Sequence, residues 1–294
     1  MIRSKKEITF ASYEDLFGLS SGQQAGRDMG DRIQEVPLAD LYPFQNHPFR
    51  VLDDEKMKET MESIRKFGVL NPAIVRPREE GGYEILSGHR RKRGCELIGK
   101  DTMPAIVRNY TDDEATVVMV DANIQREDIL PSEKAHAYRM KYQALKHQGS
   151  KGDRHTADAV GEAAGDSGRT VQRYLRLAQL EDVLLGFVDD GKLLLATGEK
   201  LSYLKKEEQL RLADMLEECQ RFPTRLQAEQ LKEKSLEGML TVDMMKRILE
   251  GKTAEKIIVT ISAAKIRSYF PADYTGKQME EVILSLLEDW KRKN

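Results

Sequence analysis

Ser87-Gly88-His89-Arg90-Arg91-Lys92-Arg93 places a run of cations behind a glycine, between a segment that reads as a strand and one that reads as a helix. A helix N-terminus offers unpaired backbone N–H groups and the positive end of the helix dipole. Glycine lets a ligand approach the backbone, and guanidinium forks match phosphate oxygens. The run is therefore either a polyphosphate cradle or a solvated basic helix face, and its own residues do not decide between the two. A second group, Asp121-Ala122-Asn123-Ile124-Gln125-Arg126-Glu127-Asp128, lies where one helix ends and another begins. The amide oxygen of Asn123 suits a hard Mg²⁺, which takes one or two protein ligands and fills its shell with phosphate oxygens, and Arg126 suits the same phosphates. The alternative is a capped polar hinge.

A third group runs from Thr156 to Ala178. Ala157, Val160, Ala163 and Ala164 form a small-residue helix face, Gly165-Asp166-Ser167 a tight turn, and Val171, Tyr174, Leu175 and Ala178 the apolar stripe of a second helix. Arg169, Gln172, Arg173 and Arg176 share the other face of that helix, and Gly168–Ala178 contains three arginines and no acid. This is the form of a helix-turn-helix, favoured here over a plain helical hairpin because turn, stripe and acid-free face agree.

Other chemistries find no support. Gly186-Phe187-Val188-Asp189-Asp190-Gly191-Lys192 nearly spells a P-loop, but Leu193 stands where the Mg²⁺-binding Ser or Thr is required and no strand precedes it. The five histidines include no HExxH spacing, and there is no Gly-x-Ser-x-Gly elbow. Cys95 and Cys219 are the only cysteines, 124 positions apart, so neither a disulfide framework nor a zinc ribbon is expected.

The elements that must position these groups follow an α/β pattern and then an α pattern. Residues 1–30 have the composition of a flexible tail. From Ile33 an extended, proline-bounded stretch leads to a helix capped by Asp53, with Met57, Met61, Ile64 and Phe67 on its apolar face and Gly68 at its end. Ala73–Val75 and Tyr83–Leu86 read as strands around the EEGG turn. A basic helix follows from His89 to Gly99, then a strand at Pro104–Val107 and a helix opened by a Thr111/Glu114 capping box. Pro131 restarts the chain as helix, and helical periodicity persists to about residue 250. Lys256–Ile261 reads as a strand and Gln278–Trp290 as an amphipathic helix whose stripe makes a core or a dimer interface. The predicted fold is α+β and multidomain: a tail (1–30), an α/β domain (31–127), an all-α domain (128–250) with its helix-turn-helix at 156–178, and a small αβ unit (255–294).

Composition limits the function further. The chain is 40% hydrophobic and 33% charged, its mean hydropathy is −0.56, and no apolar run is long enough for a membrane span. The N-terminus lacks the apolar core of a secretion signal, so a cytoplasmic location is expected. The formal net charge of −2 hides a basic segment: Ser132–Leu180 has nine Lys/Arg against five Asp/Glu.

Taken in this order, from about residue 33 to 205, the three groups resemble the ParB family of chromosome and plasmid partition proteins. The resemblance rests on Phe67-Gly68-Val69-Leu70-Asn71-Pro72-Ala73-Ile74-Val75, Tyr83-Glu84-Ile85-Leu86-Ser87-Gly88-His89-Arg90-Arg91, Asn123-Ile124-Gln125-Arg126-Glu127-Asp128 and Arg169-Thr170-Val171-Gln172-Arg173-Tyr174-Leu175-Arg176-Leu177. The C-terminal part is similar to ParB-like proteins of integrative and conjugative elements. The resemblance implies a ParB/sulfiredoxin-like N-terminal fold and a nucleoid-associated homodimer, closing as a clamp on double-stranded DNA at a palindromic site under the control of CTP and Mg²⁺. By position it implies Ser87, Gly88, His89, Arg90, Arg91 and Arg126 as nucleotide-binding, Asn123 as nucleotide- and Mg²⁺-binding, and Arg169, Thr170, Gln172, Arg173 and Arg176 as DNA-binding.

Three departures shape what it implies. Ala122 stands where members that hydrolyse CTP commonly carry an acid, so CTP turnover is expected to be slow or absent. The Asn-Pro-x-Gln-Pro-Arg box is degraded to Phe44-Gln45-Asn46-His47-Pro48-Phe49, with loss of an arginine. The tail lacks the basic Leu-Gly-x-Gly-Leu peptide that stimulates a ParA-like ATPase, so that partner is not assumed. The rival functions are a helix-turn-helix transcriptional regulator without a nucleotide switch, and a small-molecule kinase on the same N-terminal fold.

Overall fold

The extended stretch after the tail is paired on both sides of a turn. In the computed structural model, which describes residues 32–126, 128–150, 152–251, 262–271 and 273–293, it forms β1 (Ile33–Pro37) and the short β2 (Leu41–Pro43). With β3 (Ala73–Pro77), β4 (Tyr83–Ser87) and β5 (Thr102–Val107) they build one mixed sheet, ordered β1-β5-β3-β4-β2. β1 runs antiparallel to β5, β3 parallel to β5, β4 antiparallel to β3, and β2 parallel to β4. Prolines 37 and 43 lie on the two outer strands, where a missing N–H interrupts no ladder.

Helix α1 (Glu55–Phe67) is capped by Asp54, one residue later than the sequence suggests: the Asp54 carboxylate accepts from the Met57 N–H at 2.9 Å. Met57 and Ile64 are buried, but Phe67 is exposed, against expectation. The buried Met57 and Ile64 lie two turns apart on one face, and Phe67 lies off that face beneath Lys66. Helix α2 (His89–Leu97) follows β4 through Gly88. Helix α3 (Asp112–Asn123) opens with the expected Thr111/Glu114 capping box.

The helical part begins with α4 (Pro131–His147). The helix-turn-helix is α5 (Asp153–Gly161), a 3-10 turn (Glu162–Ala164) and α6 (Gly168–Leu177), whose cap Ser167 accepts from the Thr170 N–H at 3.2 Å. A bundle follows: α7 (Asp182–Asp189), α8 (Leu195–Leu201), α9 (Lys206–Cys219), α10 (Arg225–Leu236) and α11 (Val242–Leu249). Helix α7 absorbs most of the P-loop-like text.

Three apolar clusters hold this unit together. One lies between the sheet and α1 (Val36, Ile64, Val75, Ile85, Met103), and one fills the bundle (Leu177, Leu184, Leu201, Leu212, Leu231). The third joins Phe44, Ile74, Leu86 and Met119 of the α/β part to Tyr138, Leu145, Val160 and Val171 of the helical part. The chain divides into compact units after Gly251, and residues 128–251 form one unit with the sheet. In the second unit the described residues contain α12 (Ala263–Arg267) and α13 (Gly276–Lys293), with Leu286, Leu287 and Trp290 of α13 exposed. The expected tail (1–30) and the expected strand at 256–261 lie outside the described residues.

Candidate functional site

The cradle is built where β4 delivers the chain into α2. Gly88 has φ +117°, and a Cβ there would stand 3.0 Å from the Ala73 Cβ, so only glycine brings the helix this close to β3. Gly88, at the N-cap of α2, has no side chain with which to accept the first N–H groups of the helix. Arg91 donates to the carbonyls of Asn71 and Pro72, the latter at 2.8 Å, and to the Ser87 hydroxyl at 3.2 Å. Arg90 reaches back to α1 and pairs with Asp54 at 3.1 Å, and Arg93 pairs with Asp53 at 2.6 Å. Those guanidiniums hold the Asp54 and Asp53 carboxyls below their ordinary range. Lys92 pairs with Glu96 on its own helix at 2.7 Å.

Beside these residues lies a cavity of about 700 Å³, within the range that takes a nucleotide-sized ligand. Its walls bring together Arg90, Arg91 and Arg126 with Arg50 and Lys56, and carry Asp54, Glu59, Asp128 and Glu133 as their acids. Arg50 is a residue the sequence reading missed: the Phe44–Phe49 box is short of an arginine, but the next position supplies one on the cavity wall. Its backbone N–H is fixed by Glu133 at 2.8 Å. Leu52, Val69 and Leu70 give the cavity an apolar side.

Ser87, Gly88, His89 and Asn123 are not on the cavity wall. Ser87 and Gly88 shape it, through Arg91 and through backbone approach. His89 is packed against His47, ring centroids 3.9 Å apart, and its Nε2 accepts from the Phe44 N–H at 3.4 Å. Burial, together with the neighbouring His47, pushes the His89 pKa down to about 3, and burial also lowers that of His47. At neutral pH His89 therefore supports the cradle as a neutral ring and adds no charge to it.

Asn123 donates from its amide nitrogen to the Met119 carbonyl at 2.8 Å, which leaves its oxygen to serve a ligand. Among the described residues no group of three His, Cys, Asp or Glu side chains is arranged around a metal. A single amide donor fits Mg²⁺ in the one way open to it, as an ion that takes its other ligands from phosphate and water. The carboxylate nearest in sequence to Ala122 is engaged elsewhere: Asp121 pairs with the buried Lys141 at 2.5 Å, and its own burial raises its pKa.

The helix-turn-helix is packed through glycines. A Cβ on Gly161 would stand 2.2 Å from the Asp166 carbonyl oxygen, and one on Gly168 would stand 2.1 Å from Asp158 Oδ1, which accepts the Gly168 N–H at 3.1 Å. From α4, the buried Tyr138 donates to Asp166 at 2.6 Å, and Lys134 pairs with the same carboxylate at 2.7 Å. Burial, and then the hydrogen bond to Asp166, push the Tyr138 phenol pKa upward. Val171 and Leu177 bury the inner face of α6. On the other face Arg169 and Gln172 are exposed, and Thr170, Arg173 and Arg176 are half-buried. Arg173 pairs with Glu199 at 3.0 Å, and Arg176 donates to Gln179 at 2.6 Å.

Comparison with known proteins shows what the chain is similar to. Residues 22–124 match the ParB N-terminal domain family. The chain is 30% identical to stage 0 sporulation protein J of Bacillus subtilis over 84% of its length and 80% of that protein. It is 34% identical to the chromosome-partitioning protein Spo0J of Thermus thermophilus, over 62% of this chain and 64% of that one. A crystal structure of C-terminally truncated ParB from Caulobacter crescentus, complexed to the centromeric parS site, aligns with 68% of this chain and 99% of its own. Its identity is 24% and its TM-score 0.42.

Proposed function

This chain belongs to the ParB family of partition proteins, and from that premise we propose that it is a CTP-controlled DNA clamp that acts in DNA segregation. The observation that carries the proposal is the meeting of Arg90, Arg91 and Arg126 on one cavity, in a unit whose apolar core continues into the helix-turn-helix. Three guanidiniums and the N-terminus of α2 suit a triphosphate, and Leu52, Val69 and Leu70 offer an apolar wall to a nucleoside. Bound with Mg²⁺, the nucleotide would be held by these arginines, with Asn123 as one metal ligand.

In the proposed division of labour, Arg169, Thr170, Gln172 and Arg173, near the start of α6, face base edges. Arg176, in its last turn, faces a phosphate. Turnover of CTP is slow in this scheme, because Ala122 supplies no carboxylate and Asp121 is committed to Lys141. Two copies of the chain join through residues 255–294, for which α13 offers the exposed Leu286, Leu287 and Trp290. The protein works in the cytoplasm on the nucleoid. Among the described residues no helix is long and apolar enough to cross a membrane.

Equilibrium binding of CTP, ATP, GTP and UTP with Mg²⁺, run beside Arg90→Ala, tests the switch. Selective CTP binding that is lost in the variant is the expected result. Absence of any nucleotide binding, with or without DNA, would leave a DNA-binding regulator on a ParB scaffold. Sedimentation as a monomer at micromolar concentration would overturn the dimer.

A further inference from the structure

Tyr203 lies just beyond α8, in the chain that leads to α9, and is half-buried. Two cations from different helices converge on its ring: the Arg176 guanidinium carbon lies 3.9 Å from the centroid and the Lys232 ammonium 4.4 Å. Lys232, on α10, has a carboxylate partner in Glu229 at 3.2 Å, which it shares with Lys200 at 3.0 Å. Arg176 is different. Among the described residues it meets no carboxylate, and its partners are the amide oxygen of Gln179 and this aromatic face.

A guanidinium held over a ring keeps its full charge, because the attraction comes from the ring quadrupole and not from an opposite charge. Its N–H donors lie in its own plane, so contact through the flat face leaves edge donors available to another acceptor. Neighbouring Arg173, by contrast, is neutralised by Glu199. The one arginine in the last turn of α6 is thus fixed in place without loss of charge, as a contact to a DNA phosphate requires.

We propose that Tyr203 is a positioning residue for DNA binding: it pins the Arg176 guanidinium for a phosphate contact and ties the recognition helix to the bundle behind it. The proposal rests on the DNA-binding role of α6, and the test separates the two.

The full-length protein is titrated with a mixed-sequence duplex of about thirty base pairs, long enough for more than one helical turn, at several salt concentrations. Arg176→Ala should weaken binding and lower the salt slope by about 0.9, the signature of one lost phosphate contact. Tyr203→Leu should weaken binding about 2- to 5-fold, the factor equivalent to one exposed cation–π contact, and leave the salt slope unchanged. Tyr203→Phe, which keeps the ring, should bind as the parent does. In the Arg176→Ala background Tyr203→Leu should have no further effect. Tyr203→Met, apolar and flexible but without a ring, repeats the test if Tyr203→Leu does not fold.

An effect of Tyr203→Leu that is equal in both backgrounds, or absent in both, overturns the proposal, as does an equal loss in Tyr203→Phe. If Arg176→Ala itself changes neither affinity nor slope, the DNA-binding role assigned to Arg176 falls first.

Discussion

Helices α2 and α6 both carry arginines that are proposed to meet a phosphate-bearing ligand, and they begin in opposite ways. Helix α2 starts on Gly88, which has no side chain to offer as a cap. Helix α6 starts on Ser167, whose hydroxyl accepts the Thr170 N–H. An open terminus can itself seat an anion, whereas a capped one leaves recognition to side chains. The arginines follow the same division. Arg90 is paired with Asp54, which the proposed triphosphate would have to displace. Arg176 rests on Tyr203 and has no charge to exchange. Under the proposed function, affinity at the first site would be a competition between anions, and affinity at the second would depend on how well the side chain is held.

The largest effect that could break this comparison is at Arg90. Arg90→Ala should lower CTP affinity by about 100-fold in calorimetry while leaving DNA affinity near the parent value. Gly161→Ala strikes the other site. With its Cβ 2.2 Å from a backbone oxygen, it should cost about 1–3 kcal/mol of stability and weaken DNA binding, as read by thermal melting and DNA titration.

Acid should act on the cradle side. The folded pKa of His89, about 3, lies below its unfolded value near 6.5, so its neutral ring contributes fully above pH 6.5. That contribution is lost as pH falls from 6.5 toward 3, on the order of 1 kcal/mol per pH unit. His89→Gln, which cannot take up the proton, should flatten this slope in denaturant titrations at pH 7 and pH 5.

Two smaller effects sharpen the contrast. Glu199→Gln frees the Arg173 charge and should raise affinity for mixed-sequence duplex by about 2- to 5-fold at low salt. Asp54→Asn keeps the cap on Met57 but removes the competing charge, and should tighten CTP binding by a similar small factor. Weaker binding in Asp54→Asn would mean that Asp54 orients Arg90 instead of competing for it.

What could be read from the sequence was local. Thr111 caps α3 as expected, Pro131 opens α4, and β3, β4 and β5 lie where alternation and turns put them, because those signals act within a few residues. β1 and β2 carried no such signal. They are short edge strands, each closed by a proline, and only their pairing with β5 and β4 defines them. Placement within the site was legible only in part. Arg90, Arg91 and Arg126 meet on the cavity, but the withdrawal of His89 onto His47 and the arrival of Arg50 depend on contacts spanning more than forty residues. Tyr203 had no motif around it at all. Its role comes from α6 and α10 converging on one loop, which no spacing rule in the sequence records.

The apolar cluster that runs from Phe44 and Met119 to Tyr138 and Val171 has a practical consequence. A fragment ending near residue 127 would present the faces of Met119 and Val120 to water, and a fragment beginning near 128 would lose the surface against which Tyr138 and Val171 are packed. Such pieces would be damaged halves of one cooperative unit. Residues 32–251 should melt in a single transition, with the cradle and the recognition helix lost together.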